Sequence, residues 1–300
     1  MIIEKAVSES DGLELEVAIT EPKGEKKGIV QFSHGMSEHK ERYFDFMNFL
    51  SDNGYVCVIH DHRGHGKSVK NENDLGCFYT QNINYIVDDL HQISKLITQK
   101  YPNLNLILFG HSMGTLVARN YLKKYDKDVS KVILCGPPTL NKMAGFGVGL
   151  AKFLNLFYKK TSPNNFLNRL VFASYGKGLP DTNDWVCSNP ETMEKYNQDK
   201  LCGFVFTTNG FINLFKLMKQ AFNKKDWTQP KKDLKIFVIA GQNDPVIQNE
   251  NKFNELIEFL HGVGYDSIRS KLYPNMRHEI LNEKDNQTVY IDVLNFIEQE

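Results

Sequence analysis

The sequence predicts an α/β fold built on a mostly parallel sheet, and three observations point there. Short apolar runs such as "GIVQFSHG" (28–35), "YVCVIHDHRG" (55–64) and "KVILCGPP" (131–138) each end in polar and glycine-rich residues. Helically patterned stretches lie between them, the alternation that places a parallel sheet under helices on both faces. The rhythm stops after Pro138 and resumes at "KIFVIAGQNDP" (235–245). This predicts a core formed by 1–138 and 231–300, with 139–230 inserted as a helical cap.

The first twenty residues alternate and carry Asp11-Gly12 between two strand-like segments, which predicts an N-terminal antiparallel hairpin. After the strand at 28–35, a helix is expected from Arg42 to Ser51, stopping at Asn53-Gly54. Residues 84–101 read as a helix, 104–109 as a strand, 113–124 as a helix and 131–138 as a strand. Beyond the insertion follow a helix at 249–261, a strand at 267–273 and a helix at 284–298. In such sheets chemistry collects at the carboxyl ends of the strands. Here those ends carry Ser33-His34-Gly35, the turn 61–66, and Gly110-His111-Ser112.

Within the insertion, Met143, Phe146, Leu150, Phe153, Leu154 and Phe157 recur at spacings of three and four, which puts them on one helix face. That face is expected to pack over the core. The alternative is a lid that lines an apolar acyl site and touches a lipid surface.

Composition narrows the function. Lys and Arg number 36 and Asp and Glu 36, so no net field recruits nucleic acid. Basic pairs such as Lys26-Lys27, Lys123-Lys124 and Lys159-Lys160 read as solvated faces. The five cysteines (57, 77, 135, 187, 202) form no CxxC pair, and Cys57 and Cys135 lie inside apolar runs as small buried hydrophobes. With no signal-peptide pattern, a reducing cytoplasm is expected. No run approaches the roughly 18 apolar residues that span a bilayer.

Gly110-His111-Ser112-Met113-Gly114 fits G-x-S-x-G between a strand and a helix, the context that gives the motif meaning. The turn must be sharp enough to strain the serine backbone, and side chains at 110 or 114 would collide with neighbouring elements. Ser112 is then pushed out at a helix N-terminus, with the Met113 N–H facing any oxyanion formed beside it. A serine hydroxyl needs a base, which needs a carboxylate, in the chain order Ser, Asp or Glu, His. Asp244 follows the strand that resumes the core, and His278 in "YPNMRHEIL" precedes the last helix. The other downstream histidine, His261, reads as a helix-end residue. The second oxyanion donor should come from the loop after "IVQFS", where Met36 N–H follows His34-Gly35. Glu38 and His39 read either as polar support for that loop or as surface residues starting a helix.

"HDHRGHG" (60–66) offers a rival chemistry, because three histidines are spaced as in the H-x-H-x-D-H motif of metallo-hydrolases. Gly64 replaces that motif's aspartate, and no further His and Asp ligands are evident downstream. The stretch reads as a polar turn held by Asp61 and Arg63, with no metal and no organic cofactor expected.

"FSHGMSEH", "DHRGHGKS", "GHSMG", "GQNDPV" and "MRHEILNE", in this order, resemble the monoacylglycerol lipase and lysophospholipase branch of the α/β-hydrolases, which is grouped with serine aminopeptidases. The similarity reaches into the insertion at 184–211. The resemblance implies Ser112 as nucleophile, Asp244 as acid, His278 as base, and Met36 and Met113 as oxyanion amides. It also implies a small acyl ester of lipid type as substrate. An apolar acyl chain is further favoured by nine phenylalanines of the insertion: 146, 153, 157, 166, 172, 204, 206, 211 and 215. An aminopeptidase would need a carboxylate for the substrate's amino group, and Asp181, Asp184, Glu191 and Asp199 are the candidates. A thioesterase would use the same triad. A non-catalytic scaffold would have no use for one.

Overall fold

The computed structural model describes residues 1–140, 144–157, 159, 161–228 and 230–299. Eight strands form one sheet: β1 (Ile2–Val7), β2 (Glu14–Thr20), β3 (Gly28–Ser33), β4 (Tyr55–His60), β5 (Leu106–His111), β6 (Lys131–Cys135), β7 (Lys235–Gly241) and β8 (Ile268–Tyr273). Their order is β1-β2-β4-β3-β5-β6-β7-β8. The hairpin β1–β2 is antiparallel and joins β4 antiparallel, while the pairs from β4 through β8 are parallel. The expected fold class is therefore the observed one.

Alternation along each central strand fills both faces of the sheet. Val56, Val58, Leu106 and Leu108 point into one apolar layer, while Cys57, Ile59, Ile107 and Phe109 point into the other. The second layer is closed by α1 (Phe44–Asp52) and α9 (Asn286–Glu298), where Phe46 meets Tyr290 with ring centroids 4.5 Å apart. The first is closed by α2 (Asn84–Lys100) and α3 (Met113–Tyr125), together with residues of the helices that follow. Strand β5 runs two residues beyond the predicted 104–109, because Gly110 and His111 still pair with Leu134 and Cys135 of β6. The ladder thus delivers its last residue directly to Ser112.

Between β6 and β7 the described residues form α4 (Ala144–Leu154), α5 (Asn165–Phe172), α6 (Pro190–Gln198) and α7 (Thr208–Ala221), with one isolated bridge from Pro163 to Thr207. The remaining long helix, α8 (Glu250–Gly262), follows β7. Helix α4 corrects the expectation for 143–160. Phe146, Phe153 and Phe157 are 62%, 59% and 71% exposed, while Leu150 and Leu154 pack against the core, so only part of the predicted face packs there. Met143 lies outside the described residues. The buried side of α4 carries Gly147 and Ala151, and a β-carbon on Gly147 would come within 3.0 Å of the Phe215 ring on α7. Small residues one turn apart let the two helices approach closely, which turns the bulky rings outward.

Candidate active site

The three strand ends singled out in the sequence meet at one edge of the sheet. Ser112 sits at φ 50°, ψ −119° between β5 and α3, in the region that disfavours a side chain. Its N–H donates to Cys135 O at 2.9 Å, and its carbonyl accepts from Thr115 N at 2.9 Å and Thr115 Oγ1 at 2.7 Å. The tightness of this elbow explains its glycines. A β-carbon at Gly114 would lie 1.9 Å from Ser33 O, and one at Gly110 2.8 Å from Gly114 O.

Asp244 ends the turn after β7, and both of its oxygens are engaged. Oδ1 accepts from Val246 N at 2.8 Å, and Oδ2 pairs with His278 Nδ1 at 2.9 Å. Both residues are buried. A proton on Nδ1 leaves Nε2 as the ring's lone-pair nitrogen, the arrangement required of a general base. Ser112 and His278 line the same cavity, of about 550 Å³, a size suited to a small organic ligand. Among the described residues no hydrogen bond yet joins Ser112 Oγ to the imidazole, a link that commonly tightens only with substrate bound.

Met36 and Met113 also line this cavity. Neither backbone N–H has a hydrogen-bond acceptor among the described residues. Met113 opens α3, where an unsatisfied N–H is the rule. Two amides without an acceptor among the described residues, one of them at the positive end of a helix, thus belong to residues that line the cavity with Ser112.

Sequence reasoning did not find the charged network behind Ser112. Glu38 Oε1 accepts from Gly35 N, from Tyr43 OH at 2.8 Å and from His111 Nδ1 at 3.1 Å. Arg42 bonds Glu279, and His111 Nε2 lies 3.4 Å from the carbonyl of His278. Burial opposes a charge on Glu38, but the bond from His111 and the charges of His111 and Arg42 hold its carboxyl down at about 2. Burial likewise disfavours a cationic His111, and Glu38 outweighs it, lifting His111 above the usual histidine range. The i, i+4 spacing of Glu38 and Arg42, and Glu279 directly after His278, were the available signals. Of the two readings given for Glu38 and His39, burial excludes surface helix-start residues.

The turn 60–66 is a structural brace. Asp61 accepts from Lys40 N at 2.8 Å, Lys67 N at 2.9 Å and Lys40 Nζ at 2.9 Å. Arg63 bonds Asp89 at 2.8 Å and Asp11 at 3.0 Å. Among the described residues one set of metal-type donors converges elsewhere: His39, Asp199 and Cys202, with ligand atoms within 4.8 Å of one another. His39 Nε2 is already bonded to Asp199 Oδ2 at 2.8 Å, and three donors fall one short of a closed zinc site. All five cysteines are free and buried. His261 ends α8, exposed, with Nδ1 2.8 Å from Tyr265 O.

The segment between β6 and β7 supplies much of the cavity wall, including Val171, Phe172, Phe204, Leu214 and Met218. Of the nine phenylalanines expected to favour an acyl chain, only Phe172 and Phe204 line it. Phe206, Phe211 and Phe215 belong to the core, and Phe146, Phe153, Phe157 and Phe166 are exposed. Trp185 packs over His278, their ring centroids 5.3 Å apart.

Comparison with known proteins places the chain in a family. Hydrolase_4, the family described as serine aminopeptidase S33, matches residues 24–285. A monoacylglycerol lipase of Mycolicibacterium smegmatis is 25% identical over 291 residues, covering 95% of this chain and 93% of its own. The phospholipase YtpA of Bacillus subtilis is 22% identical, covering 90% and 95%. Among solved structures, a thermostable carboxyl esterase from Bacillus coagulans in complex with glycerol superposes with a TM-score of 0.91 at 25% identity, covering 99% and 97%.

Proposed function

Because this chain belongs to the Hydrolase_4 family, of serine aminopeptidase S33 type, we propose that it cleaves carboxylic esters of single-chain lipids, monoacylglycerols or lysophospholipids, through Ser112, His278 and Asp244. One observation carries this reading: the strained Ser112 elbow and the Asp244-bound imidazole of His278 face the same partly apolar cavity. In this reading 139–230 acts as a cap over a core formed by 1–138 and 231–300.

The proposed reaction has two halves. His278 Nε2 takes the Ser112 proton as Oγ bonds to the ester carbonyl carbon. The Met36 and Met113 N–H groups hold the oxyanion, each worth about 3–4 kcal/mol in the transition state. Asp244 stabilises the imidazolium and fixes its tautomer. The carbon–oxygen bond to the alcohol breaks, and His278 gives the alcohol its proton. Water then repeats the sequence on the acyl-enzyme and releases the acid. These residues complete the cycle without a metal or organic cofactor.

Met36, Val171, Phe172, Leu214, Met218 and Val246 make the cavity apolar enough for an acyl chain. Amide cleavage finds less support. None of Asp181, Asp184, Glu191 and Asp199 lines the cavity, and its two carboxylates, Glu38 and Glu279, are already engaged by Arg42. No helix of the described residues is long and apolar enough to cross a membrane. The exposed Phe146, Phe153, Leu156, Phe157, Phe166 and Leu170 instead suit peripheral contact with a lipid surface.

A panel of monoacylglycerols, lysophospholipids, p-nitrophenyl esters of graded length, acyl thioesters and aminoacyl amides tests the proposal. Lipid esters should be turned over fastest, with no loss on adding EDTA. Faster cleavage of the amides or thioesters would replace this reading with a peptidase or thioesterase.

A further inference from the structure

The oxyanion loop is held from behind by a histidine that the mechanism above does not use. His34 is fully buried after β3, with Nδ1 2.8 Å from Gly35 O. Its other nitrogen, Nε2, lies 2.8 Å from the backbone N of His62. A peptide N–H can only donate, so Nε2 is an acceptor and the single ring proton sits on Nδ1, donating to Gly35 O. The ring is therefore neutral and bridges the backbones of two strand-end loops.

The carbonyl it holds belongs to the same peptide unit as Met36 N–H. Among the described residues no peptide bond is cis, so a planar trans unit with its oxygen pinned to His34 must aim its N–H in the opposite direction. Met36 lines the cavity it shares with Ser112, which makes that space the target of its N–H. A hydrogen bond to the carbonyl also polarises the unit and strengthens its N–H as a donor. The neighbouring peptide is fixed separately, by Gly35 N donating to Glu38. The imidazole is itself seated on His62 and His65, at ring-centroid distances of 4.5 and 5.2 Å. His62 is in turn bonded to Ser33 Oγ at 2.9 Å.

We propose that His34, held as the Nδ1–H tautomer between Gly35 O and His62 N, is a positioning residue that aims the Met36 N–H at the oxyanion. The proposal rests on the Ser112 reading given above. Burial, followed by the neighbouring imidazoles, holds His34 well below the usual histidine range, in keeping with a neutral ring.

Three substitutions separate positioning from mere packing. In His34→Asn the amide nitrogen branches where Nδ1 does and can still donate to Gly35 O. His34→Gln can replace the Nε2 acceptor but not the Nδ1 donor, and His34→Ala replaces neither. The expected result on a monoacylglycerol or p-nitrophenyl ester is a kcat about 10- to 100-fold lower for Gln and Ala, with KM little changed and Asn recovering most of the rate. Rates that instead follow thermal stability across the three variants, or an unchanged kcat in all of them, overturn the proposal while leaving the hydrolase reading intact. Nitrogen-15 NMR of the wild type requires no variant to fold. A neutral His34 protonated at Nδ1 supports the bridge, and an Nε2–H tautomer or a doubly protonated ring refutes it. A wild type that does not turn over esters, or that keeps this activity in Ser112→Ala, refutes the parent reading and the proposal together.

Discussion

Gly136 lies directly against the imidazole of His278. A β-carbon at this position would stand 3.1 Å from both Cε1 and Nδ1 of the ring and 3.4 Å from Asp244 Oδ2. The residue is also at φ +56°, where a side chain costs about 1–2 kcal/mol. The end of β6 thus sets the space in which His278 and Asp244 meet. Gly136→Ala should lower kcat roughly 10- to 100-fold with little change in KM, because the ring is displaced rather than removed. Steady-state kinetics beside a thermal melt separate this loss from unfolding.

Asp244→Asn keeps the shape and removes the charge. The amide can present its nitrogen to His278 Nδ1 and so favour the wrong tautomer, with the proton on Nε2. Turnover should fall by about four orders of magnitude at neutral pH, the scale set by the same exchange in serine proteases. Retained activity would show that another carboxylate orients the base.

The buried histidines of the brace give a pH signature in stability. Burial holds His60 and His65 at about 4, below the usual 6.5. Between pH 6.5 and 4 the unfolded chain binds protons that the native rings refuse, so stability falls as pH drops through that window. His111 has the opposite sign: its raised native value stabilises below pH 6.5, and that contribution is lost as pH rises. Both nitrogens of His60 lack a hydrogen-bond partner among the described residues, so His60→Leu orphans no donor or acceptor. This variant should narrow the loss of Tm between pH 6.5 and 4.5 by several degrees, read by calorimetry. An unchanged slope would show that His60 is protonated in the native state.

Phe153 and Phe157 stack edge to face, with ring centroids 5.3 Å apart, on the outward side of α4 and the turn that follows it. Replacing both by serine should weaken binding to lipid vesicles by at least tenfold, the scale of one buried ring, and lower activity on dispersed monoacylglycerol. Hydrolysis of a water-soluble short-chain ester should not change. An equal loss on both substrates would place these rings in the cap's own folding.

How far the sequence could be read depended on whether the information was local. The Ser112 elbow was legible because strand, turn and helix are consecutive, and its glycines answer to contacts within that turn and with β3. The sheet was legible from apolar runs, which alternate between two buried layers. The α4 face was misread because periodicity records where bulky residues recur and not where space exists; Gly147 and Ala151 decided which side packs. The Glu38–His111 pair was invisible because its partners are 73 residues apart and His111 occupies an unspecified position of the motif. His34 was seen as part of a glycine-rich strand end, but its role depends on a contact with the backbone of His62 that no spacing reveals.

The most direct measurement is peptide-level mass spectrometry after reaction with a fluorophosphonate. Acyl transfer through Ser112 predicts one stoichiometric adduct on the peptide containing 110–114, lost in Ser112→Ala and strongly slowed in His278→Ala. Ester hydrolysis that survives Ser112→Ala, or an adduct that forms elsewhere, would contradict it.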